Sequence, residues 1–272
     1  MKLNDVFCNT FKALSHHPSS FFHHTSSFTL PSMPMVEACR ANEFNFFEPF
    51  IAAGKLTVDQ MHRACDRYHL GKTKSGQPIF WMIDDMCQPL DAHIGTTWIS
   101  SLLKAREPFL APWQVTHCLF GLHLLCHTDF TDLCCFAALA FPQGKKSVKS
   151  VFEYKKNICV VESEASAVVL SELFPESLWM AYATTPHLTP DLFAPLEGQT
   201  VTIYPRTDST MSTYLFFEDL AAQTRPLYNL DLRIDTTLED HATPDQKERC
   251  IDILDFLKEP LSAPYSASIP LE

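Results

Sequence analysis

Two short apolar segments of this chain end on carboxylate side chains, which are the groups best suited to chemistry. Residues 158–161 lead into Glu162, and residues 201–204 are followed by Pro-Arg-Thr and then Asp208. The residues between the two segments read as a helix and a further apolar strand. Because the carboxyl ends of parallel strands meet at one edge of an open sheet, we expect Glu162 and Asp208 to be neighbours.

Carboxylates at such an edge can bind Mg²⁺, which commonly takes one or two of them and completes its shell with water and phosphate oxygens. In this interpretation Asp208, helped by Glu164, holds the ion and neutralises a phosphodiester. Glu162 on the adjacent strand then moves a proton. Acidic residues after strands also serve as helix caps and solvated loop residues, and that alternative stays open.

The distribution of charge constrains the partners of the protein. The net charge is −11, and residues 158–272 hold 6 basic against 19 acidic side chains. This part of the chain would repel a polyanion unless cations intervene. The preceding stretch, residues 141–157, is basic and interleaves lysines with Phe152 and Tyr154, which is compatible with nucleic-acid contact or with a solvated loop. Its five lysines are Lys145, Lys146, Lys149, Lys155 and Lys156.

Periodicity predicts an α/β protein with a mostly parallel sheet flanked by helices, preceded by a smaller α+β region. Thr57 with Gln60, and Thr243 with Gln246, have the spacing of helix capping boxes, and the second helix is expected to run to Leu257. The sequence predicts five consecutive segments: a poorly ordered segment over 1–40, an α+β domain over 41–140, a basic linker or loop over 141–157, the parallel-sheet domain over 158–258 and a Pro-rich tail over 259–272.

Two further features bear on cell location. No apolar run approaches the roughly 18 residues of a membrane span, so we expect no membrane association. The ten cysteines are irregularly spaced and contain no CxxC pair, which argues against a zinc ribbon and for reduced thiols in a cytoplasmic protein.

Several motifs, taken in order, resemble those of a known family. The sequence Val-Val-Glu-Ser-Glu at 160–164, and Leu-Glu-Gly-Gln-Thr-Val-Thr-Ile-Tyr-Pro at 196–205 followed by Asp208, look like the Toprim domain of bacterial and phage-type primases. The likeness is strongest to Toprim-like proteins of bacterial mobile elements and covers roughly residues 42–258. Supporting segments are 68–71, 79–84, 118–125, Phe174-Pro175 before Trp179, and 253–257.

The resemblance implies roles for individual residues. Glu162 falls where Toprim proteins place a catalytic glutamate, and Asp208 falls on the second aspartate of their metal-binding Asp-x-Asp. The first aspartate of that pair is Arg206 here, and a permanently cationic guanidinium cannot bind a metal. We therefore expect Arg206 to pair with Glu162 or Asp208 and to substitute for the ion.

Three hypotheses follow from these residues. The first is a Toprim-like, primase-related protein with a degenerate metal site, associated with single-stranded DNA or another nucleic acid and with replication proteins of a mobile element. The second is an active Mg²⁺-dependent nucleotidyl-transfer or other phosphoryl-transfer enzyme. The third is an unrelated, non-catalytic α/β binding protein whose strand ends happen to be acidic.

Overall fold

The computed structural model describes residues 31–106, 117–127, 157–183 and 188–259. Within these ranges the chain forms an antiparallel four-stranded sheet and a parallel four-stranded sheet, with helices packed around both. The architecture is therefore mixed α/β, with the parallel sheet in the C-terminal region.

The N-terminal region is built around the antiparallel sheet, whose strands follow chain order. A single 3₁₀ turn at Asn45–Phe47 precedes α2, and another 3₁₀ segment covers Leu122–His127. The labelled elements are α1 (Met33–Ala38), α2 (Glu48–Ala52), α3 (Val58–Arg67), β1 (Gly71–Lys72), β2 (Pro78–Ile83), β3 (Pro89–Ile94), β4 (Thr97–Trp98) and α4 (Ile99–Arg106).

The C-terminal region contains the parallel sheet, in the order β6-β5-β7-β8. A 3₁₀ segment at Pro190–Leu196 lies between β6 and β7. The elements are β5 (Ile158–Val161), α5 (Glu164–Leu173), β6 (Leu178–Ala181), β7 (Thr200–Ile203), α6 (Ser212–Tyr228), β8 (Asp231–Ile234), α7 (Thr237–His241), α8 (Pro244–Glu248) and α9 (Ile253–Lys258).

Both faces of the parallel sheet are buried, which explains the continuous apolar character of β5. Side chains alternate along the strand: Cys159 and Val161 pack on the side of α5, whereas Ile158 and Val160 pack on the side of α6. All four are at most 2% exposed. A strand covered on both sides must present polar groups at its ends, and this places Glu162 at the edge of the sheet.

The two regions share one hydrophobic cluster. The hydroxyl of Tyr68 on α3 donates to the carbonyl of Trp179 on β6 at 2.7 Å, and Phe120 pairs with Ala181 along the outer side of β6. Buried residues of α3 and α5 belong to the same cluster. The antiparallel sheet is therefore part of the frame that positions the edge of the parallel sheet.

Three sequence predictions differ from the structure. Residues 33–38, expected to be poorly ordered, form α1, because Met35 and Val36 are buried against β2 and β3. Residues 86–96 were expected to be a loop but contain β3. The polar residues Asp91 and His93 interrupt the apolar pattern of this strand, so the sequence did not predict it. Both side chains are nevertheless buried.

The third difference lies near the C-terminal end of the described residues. The helix expected from Pro244 to Leu257 is divided into α8 and α9, and Cys250 between them has a left-handed backbone with φ of 52°.

The capping boxes at Thr57 and Thr243 are confirmed, with both reciprocal hydrogen bonds present. None of the helices within the described ranges is both long and apolar enough to cross a membrane.

Candidate functional site

The carboxyl edge of the parallel sheet collects residues from several strands. Strands β5 and β7 are parallel neighbours, as the sequence predicted. Glu162 directly follows β5, Tyr182 directly follows β6, and Arg206 lies three residues beyond the end of β7. Such an edge is where ligands bind in open α/β sheets, so the contacts made by these side chains decide what the site can do.

Glu162 and Arg206 form an ion pair at this edge. The Nε atom of Arg206 lies 3.4 Å from Oε2 of Glu162, and the two side chains are 46% and 24% exposed. Burial raises the pKa of Glu162; the charge of Arg206 lowers it, and the nearby carboxylates of Asp252 and Glu164 raise it further. The expected pairing of Arg206 with an acid is therefore present, and the pKa of Glu162 is raised overall.

Asp252 adds a second, more deeply placed carboxylate to this edge. Its Oδ1 accepts a hydrogen bond from the backbone N–H of Asp255 at 2.8 Å, which caps α9. Its Oδ2 accepts one from the hydroxyl of Ser166 on α5 at 2.5 Å. Burial raises the pKa of Asp252, although the Ser166 and Asp255 hydrogen bonds oppose the shift.

Glu164, expected to assist a metal, is committed to a different contact. Its Oε1 lies 2.6 Å from Nδ1 of His93 on β3, and the two side chains are 7% and 10% exposed. The ring of His93 stacks on that of Trp98, with centroids 4.8 Å apart. Glu164 therefore faces the antiparallel sheet and links the first turn of α5 to it. We call Glu162, Glu164, Arg206 and Asp252 the Glu162 cluster.

Asp208 is saturated by its own loop and by the following helix. Oδ1 accepts hydrogen bonds from the backbone N–H groups of Thr210 and Ser212 and from the Thr210 hydroxyl. Oδ2 accepts from the backbone N–H of Thr213 and from the Ser212 hydroxyl. Partial burial alone would raise the pKa of Asp208, but these donors hold it well below its usual range. Asp208 therefore satisfies first-turn N–H groups of α6.

The residue between Arg206 and Asp208 fixes this segment to the protein. Thr207 is fully buried. Its hydroxyl donates to Glu239 at 2.8 Å, and its backbone N–H donates to the carbonyl of Ile251 at 3.1 Å. Arg206 and Asp208 are thus attached to an anchored segment, and their side chains leave it on the sides that meet Glu162 and α6, respectively.

The candidate magnesium ligands do not fit a metal ion in this arrangement. Asp208 uses both carboxylate oxygens for hydrogen bonds, Glu164 contacts His93, and Glu162 contacts Arg206. Across the part of the chain that the structure describes, no group of three or more His, Cys, Asp or Glu side chains could hold a metal ion.

Sequence reasoning missed His93, Ser166 and Asp252. Asp252 had a detectable signal, because an aspartate before an apolar helix start is a common N-cap. His93 had none, since its strand read as a loop. The lysines predicted to contact nucleic acid, at positions 145, 146, 149, 155 and 156, lie outside the described residues.

Comparison with known proteins gives one match. Residues 144–207 match a family model described as a domain of unknown function, DUF6371. The matched range contains Glu162, Glu164 and Arg206 and ends one residue before Asp208. The chain has no match among curated proteins and none among solved structures.

Proposed function

We propose that this protein is a Toprim-like, primase-related protein of a mobile element that associates with nucleic acid without catalysing phosphoryl transfer. The observation that carries the proposal is the ion pair between Arg206 and Glu162 at the carboxyl edge of the parallel sheet. A permanently charged guanidinium there supplies the positive charge that a metal-dependent relative would obtain from its ion.

Two features support the relationship to Toprim proteins. The segments carrying Glu162 and Asp208 follow neighbouring parallel strands, β5 and β7. An α-helix follows each segment, so the order of strand, acidic residue and helix occurs twice on one sheet. This is the arrangement that the motif resemblance implies for the catalytic glutamate and the metal-binding aspartate.

The contacts of Asp208 and Glu164 support the absence of catalysis. Metal-assisted phosphoryl transfer needs carboxylates with free oxygens directed at a shared ion. Binding Mg²⁺ to Asp208 would require the loss of hydrogen bonds that α6 uses for its first turn. Recruiting Glu164 would leave the buried ring of His93 without this contact.

Nucleic-acid association rests on the basic stretch before β5. Five lysines there precede a sheet region with a large excess of acidic residues, so this stretch would carry the contact with a phosphate backbone. Single-stranded DNA is the proposed partner, because a basic segment with interleaved aromatic residues suits unpaired bases.

The experiment is the binding of labelled single-stranded DNA to the full chain across a salt series, in EDTA and in Mg²⁺. We expect binding in EDTA that Mg²⁺ does not strengthen. Replacing the five lysines with glutamine should reduce the slope of log affinity against log salt by up to about 3.5, since each phosphate contact on a single strand contributes about 0.7.

A matched pair of variants tests the location of binding. Lys145→Gln with Lys146→Gln removes two positive charges from the basic stretch, whereas Arg233→Gln with Arg249→Gln removes two exposed charges elsewhere. Only the first pair should weaken binding. Equal effects, or no binding at low salt, would overturn the nucleic-acid role. Primer synthesis or strand cleavage on adding Mg²⁺ would instead establish the active enzyme.

A further inference from the structure

The helix α9 packs against the parallel-sheet region and leaves a narrow crevice between them. The volume of this crevice is about 20 Å³. Its walls are strongly aromatic on the inner side and belong to α9 on the outer side. The principal lining residues are Leu170, Phe174, Trp179 and Tyr204 on the inner wall and Ile253 and Leu257 on α9.

Helix α9 buries fewer of its residues than the neighbouring helix α5. It has six residues, of which only Ile253 and Leu254 are buried, whereas α5 beneath it has ten residues, of which eight are buried. Side-chain contacts hold both ends of α9. The Ser166 hydroxyl donates to Asp252 at the start, and the Lys55 ammonium donates to the carbonyl of Leu257 near the end. Glu259, which follows the helix, accepts hydrogen bonds from Gln246 and Arg249. Elements with little buried apolar surface open at lower free energy than the core.

The N-terminal attachment contains a carboxylate that is unfavourably placed. Asp252 is largely buried, and the carboxylates of Glu162 and Asp255 lie near enough to disfavour its negative charge. The ammonium of Lys258 favours that charge, whereas the guanidinium of Arg206 contacts Glu162. Movement of α9 away from the sheet would return Asp252 to water and relieve the cost of burying its charge.

We propose that α9 is a detachable strap, latched by the Asp252–Ser166 hydrogen bond, that opens without unfolding of the sheet and uncovers the aromatic crevice. Opening exposes Trp179 and Tyr204 on the inner wall. It also withdraws the Asp252 carboxylate from Glu162, so the state of the strap changes the electrostatics of the Glu162 cluster. This proposal does not depend on nucleic-acid binding or on the Toprim relationship.

Hydrogen exchange on the native full chain tests the strap. The informative amides are those of Phe256 and Glu259, whose acceptors are the backbone carbonyls of Asp252 and Asp255, compared with amides in the middle of α5. We expect the α9 amides to exchange at least 100-fold faster than those of α5, with little dependence on denaturant.

Three variants separate the latch from general destabilisation. Asp252→Ala removes the cap and the Ser166 contact and should speed α9 exchange roughly tenfold or more. Ser166→Ala keeps the cap and should speed it roughly fivefold. Asp252→Asn keeps the shape and a capping oxygen without the charge, and its amide N–H can donate to the Ser166 hydroxyl oxygen. Its α9 amides should therefore exchange no faster than in the wild type. Exchange of α5 amides should change little in Ser166→Ala and Asp252→Asn.

Two results would overturn the proposal. One is exchange of α9 and α5 amides at the same rate and with the same denaturant dependence, which would mean that the helix opens only with global unfolding. The other is an unchanged Glu162 titration, followed by carboxyl-carbon NMR, in Asp252→Asn, because removing the neighbouring charge should lower the pKa of Glu162. If Asp252→Ala fails to fold, Ser166→Ala still tests the latch.

Discussion

Two acidic regions at the same edge of the parallel sheet hold their carboxylates in opposite ways. In the loop after β7, Asp208 is surrounded by N–H and O–H donors, and its pKa is held well below the usual range. In the Glu162 cluster, burial raises the pKa values of Glu162 and Asp252, and a single guanidinium, Arg206, opposes this for Glu162. The residue types are the same, and Glu162 and Asp208 both follow buried parallel strands.

The difference shows that a strand-end acid is not by itself a functional group of one kind. Donors aimed at a carboxylate stabilise its charged form, whereas removal of water destabilises it. Asp208 therefore contributes to the start of a long helix. In the Glu162 cluster, burial makes the charged forms of Glu162 and Asp252 less favourable. Carboxylates with such shifted pKa values are typical of sites that respond to protons, cations or partners.

The largest effect on stability should come from removing His93, the partner of the buried Glu164 side chain. His93→Ala leaves its carboxylate buried without the imidazole, which should lower the free energy of unfolding by about 3 kcal/mol. Adding Glu164→Gln to this variant should restore part of the loss, and the exposed His241→Ala should change stability by less than about 0.5 kcal/mol. Denaturant unfolding measures all three. An equal loss with and without Glu164→Gln would show that His93 matters through packing on Trp98 alone.

The next effect concerns the loop after β7. Asp208→Ala removes the acceptor for first-turn N–H groups of α6 and should cost about 1–2 kcal/mol at neutral pH. Because the folded-state pKa of Asp208 is lowered, its contribution is present above its ordinary pKa of 3.8 and is lost as pH falls below that value. The difference in the free energy of unfolding between wild type and Asp208→Ala should therefore become smaller in acid. A gap independent of pH would show that charge is not involved; Asp219→Ala, an exposed acid of α6, is the control.

A smaller effect of opposite sign is expected at Asp252. Its folded-state pKa is raised, so the folded protein binds this proton more tightly than the unfolded chain does. The charge therefore costs stability as pH rises from 3.8 through the folded pKa, and the cost is absent below 3.8. Asp252→Asn should gain about 1 kcal/mol or less at neutral pH and lose this advantage in acid. Thermal unfolding across pH measures it; a variant less stable than wild type at neutral pH would contradict the assignment.

The smallest effect is expected from placing an aspartate at position 206. In Arg206→Asp we expect no detectable heat of Mg²⁺ binding by calorimetry, because Asp208 and Glu164 remain committed to their own partners. Arg206→Met, which also removes the guanidinium, is the matched control. Clear Mg²⁺ binding by Arg206→Asp alone would mean that the acids are available and that the site differs from a functional one by a single residue.

Local patterns predicted much of the parallel-sheet region. The apolar run before Glu162, the helix after it and the capping box at Thr243 each depend on residues within one turn or one strand. The side-by-side arrangement of β5 and β7 was expected from the alternating α/β pattern of this region. These features could be predicted from the sequence because residues close together in the chain determine their stability.

Long-range contacts were the ones that escaped sequence reasoning. His93 and Glu164 are 71 residues apart, and Ser166 and Asp252 are 86 residues apart. The strand β3 was missed because buried Asp91 and His93 resemble loop residues. Asp91 is stabilised by the backbone N–H and hydroxyl of Ser100, a pairing that appears only when α4 folds onto the strand.

The amino-acid sequence by itself determined that acidic residues would follow two buried strands, because apolar runs covered on both faces need polar ends and helices need capped starts. Only the tertiary structure decided what each acid does. Asp208 turned to the N–H groups of α6, Glu164 to His93, and Glu162 to Arg206 and Asp252. The physical reason is that burial and hydrogen-bond partners set the free energy of a carboxylate, and both arise from packing between distant segments.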